Sequence, residues 1–452
     1  MKGFTFDRGV HFPAKKELSG SSPIEKLEPG DKVYLSVQQH MGAPAVPVVG
    51  AGDTVKCGQL VAEAAGGFSS NIFSPVSGEV EGIVRRKNNI GVDTDYIVVV
   101  NDRKYDTVRL PEIAADRESI LSRIFEAGIV GMGGAGFPTA IKVKPKTPVD
   151  TLVINGAECE PYLTCDHRVM LEYTEEFVNG VLLLATAIGV KRAVIGIEVN
   201  KQDAIDKIND LLKNKGLFIE SGGKLRKELA SGNCGREGVA VMPLKCKYPQ
   251  GSEKQLIYAC TGRKVPCGGL PSDVGIVVQN VQTAVAVNNA VDENKPLYER
   301  VMTVSGGAVR QPKNLLVANG TPYSEILEAC GGVTEDVAKL ICGGPMMGLT
   351  LQDDGGVTTK TEGALVALKK GEADTTQPTP CINCGRCALH CPMHLMPMYI
   401  DFYTLAGDYE SAVKYGVRNC FECGTCTYVC PAKRTLMQSI KLCKAKLREM
   451  KK

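Results

Sequence analysis

The stretch from Cys381 to Pro431 constrains this chain more than any other. It reads Cys381-Ile-Asn-Cys384-Gly-Arg-Cys387-Ala-Leu-His-Cys391-Pro392 and then, after a spacer, Cys420-Phe-Glu-Cys423-Gly-Thr-Cys426-Thr-Tyr-Val-Cys430-Pro431. Each half is a C-x2-C-x2-C-x3-C-P run, in which three near thiolates hold one [4Fe–4S] cubane and the fourth ligates the other. The spacing assigns one cluster to Cys381, Cys384, Cys387 and Cys430. The other falls to Cys420, Cys423, Cys426 and Cys391. Zinc is the competing reading, since C-x2-C pairs also build zinc ribbons; the tandem arrangement with Pro after each last Cys favours iron–sulfur. Disulfides are not expected, because no signal peptide is read at the start and cytosolic thiols stay reduced.

Two such clusters move single electrons, and the rest of the chain must say what feeds them. With 452 residues the chain has room for three or four domains. A 44% apolar and 23% charged composition is that of a globular protein, and a net charge of +3 gives no case for nucleic acid. No apolar run reaches the roughly 18–20 residues that span a bilayer. The C-terminal segment carries Lys441, Lys444, Lys446, Arg448, Lys451 and Lys452, either a solvated helix end or a contact for anionic lipid or an acidic partner.

Residues 1–110 read as β structure, with β-branched runs at 33–37 and 96–100 bounded by Gly, Pro and Asp. The segments around 52–61 and 74–80 resemble the barrel sandwich of biotinyl and lipoyl carrier domains. The hairpin between them, Gly66-Gly-Phe-Ser-Ser-Asn71, has no lysine from Val61 to Pro75, so the fold is expected without its swinging arm, as scaffold or docking surface.

Residues 111–295 alternate helix and strand and read as a Rossmann-like α/β domain with a mainly parallel sheet. Ile120, Leu121, Ile124 and Phe125 recur at helical spacing up to Gly128. Gly131-Met-Gly133-Gly134-Ala-Gly136-Phe137-Pro138-Thr139 follows, with Lys142 just beyond. Such a loop lets backbone N–H groups converge on an anion. It is not a G-x-G-x-x-G site of the common kind, since no strand runs straight into it. The strand pattern at 151–154 ends in Asn155-Gly-Ala-Glu158-Cys-Glu160-Pro161. Helix is expected over 172–189, strand over 193–197 and helix over 201–213. Tyr248-Pro-Gln-Gly251-Ser-Glu253 precedes a helical turn, and the strand pattern at 274–278 ends in Gln279-Asn280-Val-Gln-Thr283. Polar groups at strand carboxyl ends are where α/β sheets bind ligands.

In that order, the 131–142, 155–161, 251–253 and 280–283 segments resemble the flavin and NADH site of the flavoprotein subunit of respiratory complex I. The whole chain is more similar to the C-subunit family of Rnf (Rsx) ion-translocating ferredoxin:NAD oxidoreductases. That match is carried by His40-Met-Gly-Ala-Pro-Ala-Val-Pro47, Cys342-Gly-Gly-Pro-Met-Met-Gly348 and the two terminal cysteine motifs. The resemblance implies non-covalent FMN, with Gly131, Gly133, Gly134 and Gly136 around its phosphate and flavin edge. Lys142, Asn155, Glu158, Asn280 and Thr283 would hold ribityl chain, phosphate and ring. Phe137 would stack on the adenine of the nicotinamide nucleotide, Glu160 and Glu253 would contact that nucleotide, and Tyr248 and Gly251 would line the flavin. Where complex I has two adjacent glutamates this chain has Ser252-Glu253. No side chain is expected to act as catalytic acid or base.

The resemblance also implies a small β-grasp domain of the soluble-ligand-binding type over 296–368 and a helical two-cluster ferredoxin domain over 369–452. Residues 401–415 are helix-compatible. The implied function is NAD(H)-reactive electron transfer between clusters, FMN and NAD. The implied partners are an iron–sulfur subunit and membrane subunits that couple the flow to Na⁺ or H⁺, with ferredoxin reached indirectly. The chain would be peripheral, on the cytoplasmic face of the membrane. Two alternatives stand beside it: an NADH-oxidising donor to an amino-acid reductase, and a non-catalytic scaffold bearing clusters. The ten other cysteines read as buried thiols, and His390 is a candidate hydrogen-bond donor to a cluster sulfur.

Overall fold

The computed structural model describes residues 3–232 and 234–450; Lys451 and Lys452 of the basic tail lie outside them. Between residues 32 and 101 short antiparallel strands close a barrel sandwich. One sheet runs Lys32–Ser36, Asp93–Asn101, Gly78–Lys87, Thr54–Val55, and the other Val46–Pro47, Leu60–Glu63, Ile72–Phe73. The period-2 alternation turns Val33, Leu35, Val61, Val80, Ile97 and Val99 into one buried cluster.

The next body is a four-stranded, all-parallel sheet in the order Gly238–Leu244, Arg192–Glu198, Thr151–Gly156, Ile276–Asn280. Its strands are buried on both faces, which is why they read as continuous apolar runs. The helix Arg117–Glu126 begins where the Asp116 carboxylate accepts from the amides of Glu118 and Ser119. The helix expected over 172–189 is two, Cys165–Glu172 and Thr174–Ile188, the second stopped by Gly189 at φ 84°.

A six-stranded mixed sheet forms the β-grasp body. It takes Glu299–Ser305, Lys313–Ala318, Val337–Cys342, Leu349–Leu351 and Ala364–Lys369 from its own segment, and its edge strand, Ile24–Leu27, from far upstream. That strand pairs in parallel with Lys313–Ala318. The β structure expected across 1–110 is therefore shared between two bodies. The residues before it form an arm: the Phe4 amide donates to Pro243 O (2.9 Å), the Gly9 amide to His390 O (3.1 Å) and the Arg8 guanidinium to Ala388 O (2.8 Å). The arm thus ties the parallel sheet to the cysteine domain, a contact that sequence patterning does not reveal.

The last body is helical: Arg386–Leu389, Pro397–Leu405, Tyr409–Lys414, Thr425–Tyr428 and Leu436–Glu449. The helix expected over 401–415 breaks at Gly407, φ 75°. Buried Asp401 accepts from Arg434 (2.7 Å) and Ser439 (2.6 Å), fixing the helix Pro397–Leu405 to the start of the long helix. Lys444 of the basic tail is spent internally, donating to Glu422 (2.7 Å).

One buried cation joins three bodies. Lys360, in the β-grasp segment, is fully buried and donates to Gly128 O (2.7 Å), to Asn71 O and to Ser70 Oγ (3.4 Å). Lys360→Met keeps the stem and strips the donor, leaving buried carbonyls unpaired. A stability loss of about 2–3 kcal/mol is expected, read as a lower denaturation midpoint with earlier proteolysis at residues 66–71.

Candidate functional site

The strand order places the topological switch point between Thr151–Gly156 and Ile276–Asn280, and ligands bind outside the carboxyl ends there. Asn155 and Asn280 face each other in register at those ends. Asn280 Oδ1 accepts from the Gln282 amide (2.9 Å) and caps the helix Val281–Asp292, while its Nδ2 donates to Asp166 (2.8 Å). Gln282 Nε2 donates to the other Asp166 oxygen (2.9 Å). Asp166 is thus a hub of the site that sequence reading passed over; its only signal is its place shortly after the strand-end motif.

The glycine loop lies across this crevice. The Gly131 amide donates to Phe137 O (2.9 Å), closing the loop on itself, and the Met132 amide donates to Thr283 Oγ1 (3.0 Å). A Cβ on Gly133 would sit 2.8 Å from Asn280 Nδ2, so only glycine allows this approach. Gly133 and Gly134 remain exposed. Gly136 has φ 67° and its carbonyl accepts from the Met41 amide (3.0 Å), so the barrel sandwich presses on the loop from behind.

Around the rim, Lys142 and Glu253 pair with each other (2.7 Å), both partly exposed. Asn155 Nδ2 donates to Gly251 O (2.8 Å), and the Gly251 amide donates to Cys159 Sγ (3.2 Å). Burial pushes the Cys159 thiol up to about 12. Glu158 sits at φ 46° and accepts from the Asp166 amide (2.7 Å). Its other oxygen is buried without a partner, with Lys16 of the arm 4.0 Å away. Burial raises its pKa to about 7.

Glu160, the other carboxylate expected at the nucleotide, is set deeper than the rim. Its carboxylate is buried beneath residues 343–348, accepts from the Met346 amide (3.0 Å) and lies where a Cβ on Gly344 would meet it at 2.4 Å. The chain turns away after Cys159 because the Tyr162 amide is held by Ala14 O of the arm (2.8 Å). Burial raises Glu160 to about 7 as well. Tyr248 is buried and donates to Cys423 O (2.6 Å), so this residue joins the crevice to the second cysteine motif.

The eight motif cysteines fall into the two expected fours. Cys381, Cys384, Cys387 and Cys430 line one cavity with Met398, Arg434 and Leu436. Cys420, Cys423 and Cys426 each have their thiol pKa raised, first by burial and then by neighbouring thiols, Cys391 among them. The halves repeat in backbone detail: Asn383 and Glu422 (φ 55° and 66°), Gly385 and Gly424 (72° and 77°), His394 and Lys433 (57° and 53°) are matched pairs. Amides of Asn383, Glu422 and Leu395 each donate to a motif sulfur at 3.4 Å. Such donors stabilise thiolates and suit cubanes. His390 does not reach a sulfur; its Nδ1 faces Arg386 O at 2.9 Å. The crevice likewise fits FMN in kind: exposed glycine backbone for a phosphate, strand-end amides, and a buried carboxylate oxygen with no partner.

Crevice and cysteine pairs together define a flavin- and iron–sulfur-dependent electron-transfer protein. Known proteins agree segment by segment: residues 4–104 match the RnfC barrel sandwich hybrid domain, 124–289 the Nuo51 FMN-binding domain, 301–350 the SLBB domain and 380–435 the 4Fe-4S dicluster domain. The C subunit of the proton-translocating ferredoxin:NAD(+) oxidoreductase complex of Clostridium ljungdahlii is 40% identical, over 98% of this chain and 94% of its own length. The C subunit of the ion-translocating oxidoreductase complex of Rhodobacter capsulatus is 39% identical, over 99% and 84%. This chain belongs to the family of Rnf-type ion-translocating oxidoreductase C subunits. An NAD+-reducing [NiFe]-hydrogenase in the H2-reduced state shares the fold, with a TM-score of 0.51 and 18% identity over 74% of this chain and 62% of that one.

Two outcomes follow from the crevice. Gly133→Ala is expected to push Asn280 off Asp166 and cut FMN content about tenfold or more, against a loss of a few kcal/mol in packing, measured by flavin released per chain. Glu160, raised from 4.5 to about 7, binds its proton more tightly folded than unfolded. Its contribution to stability is full below pH 4.5 and is lost as pH rises to 7. Glu160→Gln should flatten that part of the stability–pH curve and raise the unfolding temperature at pH 8.

Proposed function

We propose that this chain is the NAD(H)-reactive subunit of a membrane ferredoxin:NAD oxidoreductase complex, carrying electrons between two [4Fe–4S] clusters, FMN and NAD. The observation that carries the reading is the hydrogen bond from Tyr248, beside the crevice, to Cys423 of a cluster motif. When bound, FMN exchanges two electrons with the nicotinamide and single electrons with the clusters. The chain's own residues supply the rest. Gly131, Gly133, Gly134 and Gly136 keep the loop backbone open to a phosphate. Lys142, Asn155, Glu158, Asn280 and Thr283 hold and orient the flavin, and Tyr248 and Gly251 line it. Phe137 takes the adenine and Glu253 meets the nucleotide at the rim. Nothing in this arrangement requires a proton donor, which accords with a site built from amides, glycines and buried carboxylates.

Burial distinguishes the two clusters. The set Cys420, Cys423, Cys426 and Cys391 lies against Tyr248, Phe12 and the Cys159 region, and Gln255, on the helix after Gly251, donates to Pro392 O (3.2 Å). This set is the inner relay. In the other set Cys381 and Cys384 are exposed, and Ile382 and Leu389 beside them are each 65% exposed. That set is the outer relay, and its apolar rim receives a partner iron–sulfur subunit. No helix among the described residues is long and apolar enough to cross a membrane; attachment to membrane subunits at the cytoplasmic face is then through protein contacts.

Anaerobic NADH titration of the reconstituted protein, followed by absorbance and electron paramagnetic resonance, tests both statements. FMN bleaching together with a reduced-cluster signal is expected. In Cys384→Ser the inner cluster should still be reduced on mixing. In Cys420→Ser FMN should bleach while the surviving cluster stays oxidised. The opposite pattern reverses the order, and absence of flavin overturns the reading.

A further inference from the structure

The barrel sandwich has no lysine to carry a group on its hairpin, yet that hairpin is fixed in place by a dense set of bonds. The Phe68 carbonyl accepts from the Ala43 amide (2.8 Å). Ser69 Oγ accepts from the Ala65 amide (3.0 Å) and Asn71 Oδ1 from the Ala64 amide (2.9 Å). Asn71 Nδ2 donates to Glu126 O (3.1 Å), and Lys360 bonds Asn71 O from the third body. On the other side, Met41 bonds Gly136, and Gly42 packs so closely that a Cβ would collide with Phe68 O at 1.9 Å. A hairpin serving only as a spacer has no need of such fixing.

What this scaffold presents is one ring. Phe68 is 52% exposed, and its centroid lies 5.5 Å from that of Phe137 at an interplanar angle of 69°, an edge-to-face pair. Phe137 belongs to the glycine loop and is itself only partly covered. Two aromatic side chains from different domains therefore meet at the mouth of the crevice, with apolar surface still open to solvent. Gly66 and Gly67 before them stand at φ 83° and 57° with open space around them, so the hairpin turns tightly without bulk of its own beside the rings.

We propose that the barrel sandwich is a wall of the nucleotide site: Phe68 holds Phe137 edge-to-face and so fixes the Phe137 ring as the platform on which a purine of the dinucleotide stacks. Phe68 is a positioning residue, acting through Phe137, and the proposal rests on the reading of the crevice as a flavin and nucleotide site. Stacking is tolerant of hydrogen-bond pattern, so the platform contributes affinity for the adenine end and leaves the nicotinamide end alone.

The test compares full-length, flavin-loaded wild type with Phe68→Ala and Phe68→Tyr. ADP-ribose binding is measured by calorimetry, and KM is measured with NADH and with reduced nicotinamide mononucleotide, which lacks the adenine. Phe68→Ala should weaken ADP-ribose binding and raise the NADH KM about five- to tenfold, the scale of one lost aromatic contact. The mononucleotide KM and FMN content should not change, and Phe68→Tyr should restore binding. ADP-ribose affinity unchanged within about twofold in Phe68→Ala overturns the proposal, as does an equal rise in KM for both reductants. Loss of FMN from the variant also overturns it, since the hairpin would then be structural. Wild type that binds neither FMN nor ADP-ribose overturns the reading of the crevice itself.

Discussion

The arrangement of the crevice depends on a buried ammonium. Lys360 reaches from the β-grasp body to a carbonyl of the barrel sandwich and one of the helix–loop junction at Gly128. Burying a charge is costly unless its donors are all taken up, and here burial already drags its pKa from 10.5 to about 7. The three acceptors offset that cost only in one relative placement of the three bodies. A flexible apolar contact would tolerate sliding; this contact does not. The glycine loop, three residues beyond Gly128, inherits the precision.

Beneath the loop the same logic recurs with amides and carboxylates. Asp166 gathers Asn280 and Gln282, and Gln282 in turn accepts from the Val301 amide (3.1 Å) at the start of the β-grasp sheet. Arg300, fully buried, donates to Met132 O (3.2 Å) and Lys360 O (2.9 Å). Residues 131–136 are therefore supported by two other bodies, and the FMN-binding domain does not stand alone. Its neighbours complete its polar network.

The cysteine spacing carried the cluster grouping into view because ligand geometry is local and repeated. The parallel sheet was legible from continuous apolar runs, and the strand-end asparagines from their position. The glycine loop was legible for the same local reason, whereas Phe137 entered only through the family resemblance. The depth of Glu160 was not legible: only the fold shows its carboxylate packed beneath residues 343–348. Lys360, Arg300, Asp166 and Phe68 were likewise hidden, since each acts on residues dozens to hundreds of positions distant. A lone Lys or Phe carries no periodic signature. The helix breaks at Tyr173 and Gly407 were missed because apolar spacing continued across them.

The edge strand Ile24–Leu27 has a consequence in time. Its partner Asn314 lies 290 positions after Ile24. While the chain is being made, this segment waits through the synthesis of two whole domains before its hydrogen-bonding groups can be satisfied. Pairings this remote close slowly, and unpaired strand edges invite association with other chains. Its outward residues Glu25 and Lys26 put charge on that waiting edge, a common guard against premature partners. This late-closing seam is thus one whose first half is made 290 positions before its second.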